Sequence, residues 1–139
     1  MPLESDAELR SVLESTRSIA VLGAKADPRE DAWSVPRYLV RAGYAVLAVN
    51  PKLSRWGDAA AWPNLAALPG PVDMIDVFRA AASLPAHVDE ITALAWRPRC
   101  VWLQQGIRHD ACAAQLEGLG IAVVQDRCAM TEHRRLFAP

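Results

Sequence analysis

The 139-residue sequence has no Cys-x-x-Cys pair among its three cysteines, Cys100, Cys112 and Cys128. An odd count without paired spacing fits neither a disulfide framework nor a zinc site, so a reducing compartment and no metal-ligand set are expected. Long apolar runs are also missing. No stretch approaches the roughly 20 apolar residues that cross a bilayer, and no N-terminal apolar region resembles a signal peptide. The chain is therefore expected to be soluble and cytoplasmic. Excess charge is absent too: a formal net charge of -1 supplies no general attraction to nucleic acid or anionic membranes. Any anion site must be local.

What is present is a globular balance, with 52% hydrophobic residues, in a length that suits one domain of about 100 to 150 residues. The chain reads as a single domain over 1–139, with an N-terminal helix within 1–16 packed on it. Ser5-Asp6-Ala7-Glu8 is a capping box followed by Leu9, Val12 and Leu13 at helical spacing, which predicts that helix from Asp6 to about Ser15. Five short apolar runs follow, at Ser18 to Leu22, Tyr44 to Val49, Val72 to Val77, Cys100 to Leu103 and Ile121 to Val124. They are continuous rather than alternating, as strands buried on both faces are. Helical stretches lie between them, at Ser34 to Ala42, Leu84 to Ala95 and Asp110 to Leu119. This alternation predicts an α/β, doubly wound, three-layer Rossmann-like fold with a five-stranded parallel sheet. The economical strand order is 3-2-1-4-5, which sets the switch point between strands one and four and a ligand beyond the strands' carboxyl ends.

Two parts of the dinucleotide signature are missing. Only Gly23 stands at the end of the first strand, so GxGxxG is incomplete. The second strand ends in Asn50-Pro51-Lys52, where an NAD-binding domain carries an Asp or Glu for the ribose hydroxyls. A lysine there favours a phosphorylated ribose. The tripeptide also reads as a strand-ending turn with a solvated lysine. After Gly23, Ala24 leads to Lys25 and Arg29, whose charges either serve a pyrophosphate at the next helix start or sit in solvent. That helix is expected to be capped by Ser34, with Pro36 in its first turn.

The fourth strand ends in Gln104-Gln105-Gly106-Ile107. Gly106 permits close approach of a ligand, and the neutral amides of Gln104 and Gln105 suit hydrogen bonding to a polar chain rather than proton transfer. Phe78 and Arg79 end the third strand and are candidate ligand contacts, although the expected order places that strand outermost. Asp126 and Arg127 read as an ion pair or a loop brace, and Cys128 as the thiol near the crevice. His109 reads as a helix cap, His87 as solvent-facing, His133 as packed or paired, and Trp56, Trp62 and Trp102 as packing groups. No nucleophile stands beside a base and no Tyr-x-x-x-Lys motif occurs, so no residue is assigned a catalytic role.

Five segments taken together resemble the small stand-alone CoA-binding proteins: Ile19-Ala20-Val21-Leu22-Gly23, Val49-Asn50-Pro51-Lys52, Val72-Asp73-Met74-Ile75-Asp76-Val77-Phe78-Arg79, Trp102-Leu103-Gln104-Gln105-Gly106-Ile107-Arg108, and Asp126-Arg127-Cys128 with Glu132-His133. The fold is similar to the CoA-binding domain of the succinyl-CoA synthetase α subunit. The resemblance implies coenzyme A as the ligand, with Gly23, Asn50, Pro51, Lys52, Phe78, Gln105, Gly106 and Ile107 near it. It implies no ligase activity, because the synthetase's phosphorylated histidine comes from outside that domain. The chain departs from the family at Lys25, where many members have Ser, and at Ala80-Ala81-Ala82, which replaces a polar Ser-Glu segment.

The expected function is binding of coenzyme A or acyl-CoA without catalysis. Lys25 and Lys52 would lie near phosphates, and pantetheine would run toward Gln105 and Gly106. An NADP-linked oxidoreductase-like domain is the alternative, since Lys52 suits a 2′-phosphate equally. A third is a regulatory or interaction module, in a homo-oligomer or with a separate protein partner.

Overall fold

Ser5 caps the first helix, α1 (Asp6–Ser15), as its spacing predicts: its hydroxyl accepts the Glu8 amide, and Glu8 reaches back to the Ser5 amide. Leu9 and Leu13 then point one way at helical spacing and are fully buried against the sheet. The computed structural model describes residues 1–137, so the last two residues of the expected domain lie outside it.

Seven strands form the sheet, not five: β1 (Ser18–Leu22), β2 (Ala45–Val49), β3 (Arg55–Trp56), β4 (Ala59–Trp62), β5 (Met74–Val77), β6 (Cys100–Leu103) and β7 (Ala122–Val124). Their order is β3-β4-β2-β1-β5-β6-β7. All pairs are parallel except the short β3–β4 hairpin. This corrects the expected order. The run at residues 72–77 is not outermost beside β2; β5 pairs with β1 over Ile19 to Leu22. The place outside β2 belongs to β4, which pairs through Ala48 with Ala61 and Val49 with Trp62. The switch point is therefore between β1 and β5, where the crossovers leave for opposite faces.

Alternation along each strand shows the three layers. Ala20, Leu22, Ile75, Val77, Val101 and Leu103 pack against α3 (Leu84–Thr92) and α4 (Asp110–Gly118). Ile19, Val21, Met74, Cys100 and Trp102 face α1, α2 (Asp31–Arg41) and α5 (Ala129–Phe137). The last of these helices has no counterpart in the sequence reading. Arg135 ties it to α1 by donating to both Asp6 carboxylate oxygens, at 2.8 and 3.0 Å.

Helix α2 starts at Asp31, not Ser34, so Ser34 is not its cap. Glu30 occupies the cap position and makes no side-chain cap bond. Pro36 consequently falls inside the helix, not in its first turn, and has no N–H for the Ala32 carbonyl. The Lys25 amide takes that carbonyl at 3.1 Å. A helix defect thereby anchors the loop that follows β1.

Candidate functional site

Gly23 sits where the two crossovers part. Its amide donates to Val49 across one edge of β1, and the Phe78 amide donates to Leu22 across the other, both at 2.8 Å. The glycine has φ +92°, and a Cβ there would lie 2.5 Å from the Phe78 carbonyl oxygen. Both backbone conformation and space demand glycine.

The loop beyond it is held residue by residue. The Ala24 carbonyl accepts Asn50 Nδ2 at 2.8 Å, and the Lys25 carbonyl accepts Trp56 Nε1 at 3.0 Å. Asn50 is buried, and its Oδ1 accepts the Lys52 amide at 2.9 Å. Its side chain therefore joins the ends of β1 and β2, which suits a buried amide that must satisfy both its donor and its acceptor. Trp56 is buried by the β3–β4 hairpin, as its reading for packing expects.

A cleft of about 450 Å³ opens at this switch point. One side is Lys25, Arg29, Glu30 and the first residues of α2, Asp31 and Ala32; the other is Phe78, Arg79, Ala80, Gln104, Gln105, Ile107 and Cys128. The charged groups gather at the β1 and β5 ends. Lys25 lies 3.6 Å from Glu30 and Arg29 forms a bidentate pair with Asp27, whose carboxyl that hydrogen bond holds below its usual range. Arg79 makes no salt bridge among the described residues, although its charge adds to the His87 hydrogen bond in lowering the Glu90 pKa, and its Nε lies 3.2 Å from the space a Cβ at Gly23 would fill. Arg79 thus ends a central strand, not the outermost one expected, because β5 pairs with β1.

The other end of the cleft is built from amides. Gln104 is buried, and its Oε1 accepts the Ala129 amide at the start of α5, at 3.1 Å. Gln105 projects at the surface. Gly106 takes φ +87°, which explains its glycine by conformation. Its amide donates to Asp126 Oδ1 at 2.6 Å, and the Asp126 amide returns a bond to the Ile107 carbonyl. Asp126 itself lies at φ 54°, a left-handed position that aspartate tolerates. It is a loop brace, while Arg127 pairs separately with Glu132 at 3.0 Å.

Of the sequence candidates, Lys25, Phe78, Arg79, Gln104, Gln105, Ile107 and Cys128 meet on the cleft walls. Gly23, Ala24 and Asn50 form its frame. Pro51 and Lys52 stand exposed on the turn after β2, outside those walls, and Gly106 faces its brace. Arg29 and the α2 N-terminus line the cleft, in keeping with the pyrophosphate reading of that loop, and Ala80 lines it without having been singled out. A helix beginning with the acidic Asp31 carried the usable signal.

The histidines lie elsewhere. His109 caps α4 by accepting the Cys112 amide, as expected. His133 meets Tyr38 at 2.8 Å in a packed aromatic group, and burial lowers its pKa. His87 is not on a solvent face: it pairs with Glu90 at 3.2 Å and is half-buried.

The fold and crevice define a Rossmann-like α/β domain with its cleft at the topological switch point. Residues 17–134 match the CoA binding domain family, to which the chain belongs. The uncharacterized protein YneT of Bacillus subtilis is 30% identical over 129 residues, spanning 93% of this chain and 94% of its own. Among solved structures, cell-free ID.343 from Thermus thermophilus is 48% identical with a TM-score of 0.90, covering 96% of this chain and all of its own. A hypothetical protein from Pyrococcus horikoshii OT3, 27% identical, superposes at a TM-score of 0.90 over 99% of this chain and 97% of its own.

Proposed function

We propose that the protein binds coenzyme A or an acyl-CoA in the β1–β5 cleft and performs no chemistry of its own. The polarity gradient of the cleft carries this reading. Lys25, Arg29, Arg79 and the amides opening α2 suit a pyrophosphate, and Gln105 with Ile107 and Phe78 suits the uncharged, amide-bearing pantetheine. Adenosine then lies over the end of β2, with its 3′-phosphate toward Lys52. The family match supports the same ligand.

Catalysis has no constituency in this cleft. Its walls hold no histidine, and the carboxylates there, Glu30 and Asp31, stand beside cations or at a helix start rather than beside a nucleophile. Cys128 is the only thiol lining the cleft among the described residues, and no hydrogen bond ties it to an acid or base.

Calorimetric titration with CoA, dephospho-CoA and NADPH tests the proposal. Tighter binding of CoA than of the other two is expected. No binding of CoA at millimolar concentration, or a preference for NADPH, overturns it.

A further inference from the structure

Beyond Cys128 lies a second cavity, of about 410 Å³, which shares Gln105 and Cys128 as a wall with the main cleft. Pantetheine running from α2 toward Gln105 would bring its sulfur to that shared wall. Whatever the sulfur carries would then enter the second cavity. We propose that this cavity takes the acyl end of an acyl-CoA and selects short polar acyl groups over long alkyl chains. The inference rests on the CoA reading above and adds the ligand class.

The size is ample, since cavities of about 300 to 1,000 Å³ hold whole small ligands, so selection must come from chemistry. Its walls are mainly polar, with Pro2 and Leu3 as an apolar edge, and several of their groups already pair with one another. Both ends of the Gln125 amide are occupied, one accepting from the His109 amide at 2.8 Å and one donating to Asp110 at 3.0 Å. Arg127 pairs with Glu132, which also pairs with Arg135 at 2.6 Å. Asp126 spends Oδ1 on the Gly106 amide.

An alkyl chain laid against these groups would strip their water without replacing its hydrogen bonds. The usual gain from each buried methylene would be offset. A hydroxyl or carbonyl on a short chain can instead replace that water, toward Asp126 Oδ2 or the Thr131 hydroxyl.

The test is calorimetry with CoA, 3-hydroxybutyryl-CoA and decanoyl-CoA, on the unaltered protein and on Thr131→Trp, which fills the cavity from an exposed position on α5. The unaltered protein is expected to bind the hydroxyacyl thioester about tenfold more tightly than the decanoyl one. Thr131→Trp is expected to weaken the hydroxyacyl thioester about fivefold and leave CoA within about twofold. Decanoyl-CoA bound as tightly as the hydroxyacyl ester, or equal losses for CoA and hydroxyacyl-CoA in the variant, overturns the inference while the CoA reading stands. Absence of CoA binding overturns both. Should Thr131→Trp not fold, the ligand series on the unaltered protein decides alone.

Discussion

The two ends of the cleft are held in opposite ways. At the β1–β5 end, main-chain bonds, a glycine and the neutral side chains of Asn50 and Trp56 fix the walls, which leaves the charged side chains of Lys25, Arg29 and Arg79 at the surface of the cleft. At the β6–β7 end, side chains do the fixing: Gln104 holds Ala129, Gln125 holds His109, and Asp126 holds Gly106. One pole keeps its charged side chains out of its framework, and the other spends the polar side chains at its strand ends on shape. Substitutions should therefore act differently at the two poles.

Gly23→Ala should have the largest effect, because it attacks the pole whose shape depends on main chain. A methyl group 2.5 Å from the Phe78 carbonyl, at φ +92°, must push β5 from β1. The expected loss is about 3 kcal/mol of folding stability, combining left-handed strain with overpacking. Urea denaturation measures it, and an unchanged midpoint would mean that the strand ends yield easily.

Asp76 lies beneath the two poles, in register with Val21 and Trp102. It is fully buried, and neither carboxyl oxygen has a hydrogen-bond partner. Burial pushes its pKa well above the usual carboxylate range, so the folded chain keeps a proton that the unfolded chain releases. Stability should fall as pH rises from the unfolded value near 3.8 toward the folded one, by up to about 1.4 kcal/mol per pH unit. Asp76→Asn should flatten that slope in denaturation curves taken between pH 4 and pH 8. A slope equal to that of the unaltered protein would show that Asp76 does not titrate between the two states.

Much of this architecture is legible in the sequence, but unevenly. The five long strands announce themselves as continuous apolar runs, and Ser5 and His109 mark helix starts by side-chain caps. Ala59-Ala60-Ala61-Trp62 carries no β-branched residue, so β4 gives no strand signal. Without it, the outer place beside β2 is filled by the wrong run, and β5 is displaced from its central position. Helices α2 and α5 start without a Ser, Thr, Asp or Asn cap, so their beginnings carry little local signal. The frame residues were legible for a different reason: Gly23 and Asn50 are types whose geometry and hydrogen bonding nothing else supplies.

Arg79→Ala separates the poles by ligand binding rather than stability. Arg79 makes no salt bridge among the described residues, so the fold should stay within about 0.5 kcal/mol. CoA affinity should drop roughly tenfold, about 1.4 kcal/mol, with a weaker dependence on salt. Gln105→Ala, at the amide pole, should cost only about threefold and leave the salt dependence unchanged. Equal salt slopes for the two variants would erase the distinction between a charged and a neutral pole.

Lys52→Glu is the smallest and most selective change. Lys52 is exposed on the turn after β2, and only its amide is tied to Asn50, so the side chain can be reversed in charge without disturbing the frame. Solvent screening limits an exposed contact, so about a threefold loss of CoA affinity is expected. Dephospho-CoA lacks the 3′-phosphate and should bind the variant and the unaltered protein alike. Titration of both ligands therefore assigns or removes that contact: equal losses for CoA and dephospho-CoA would place Lys52 near the pyrophosphate instead, and no loss for either would leave the turn a purely structural end to β2.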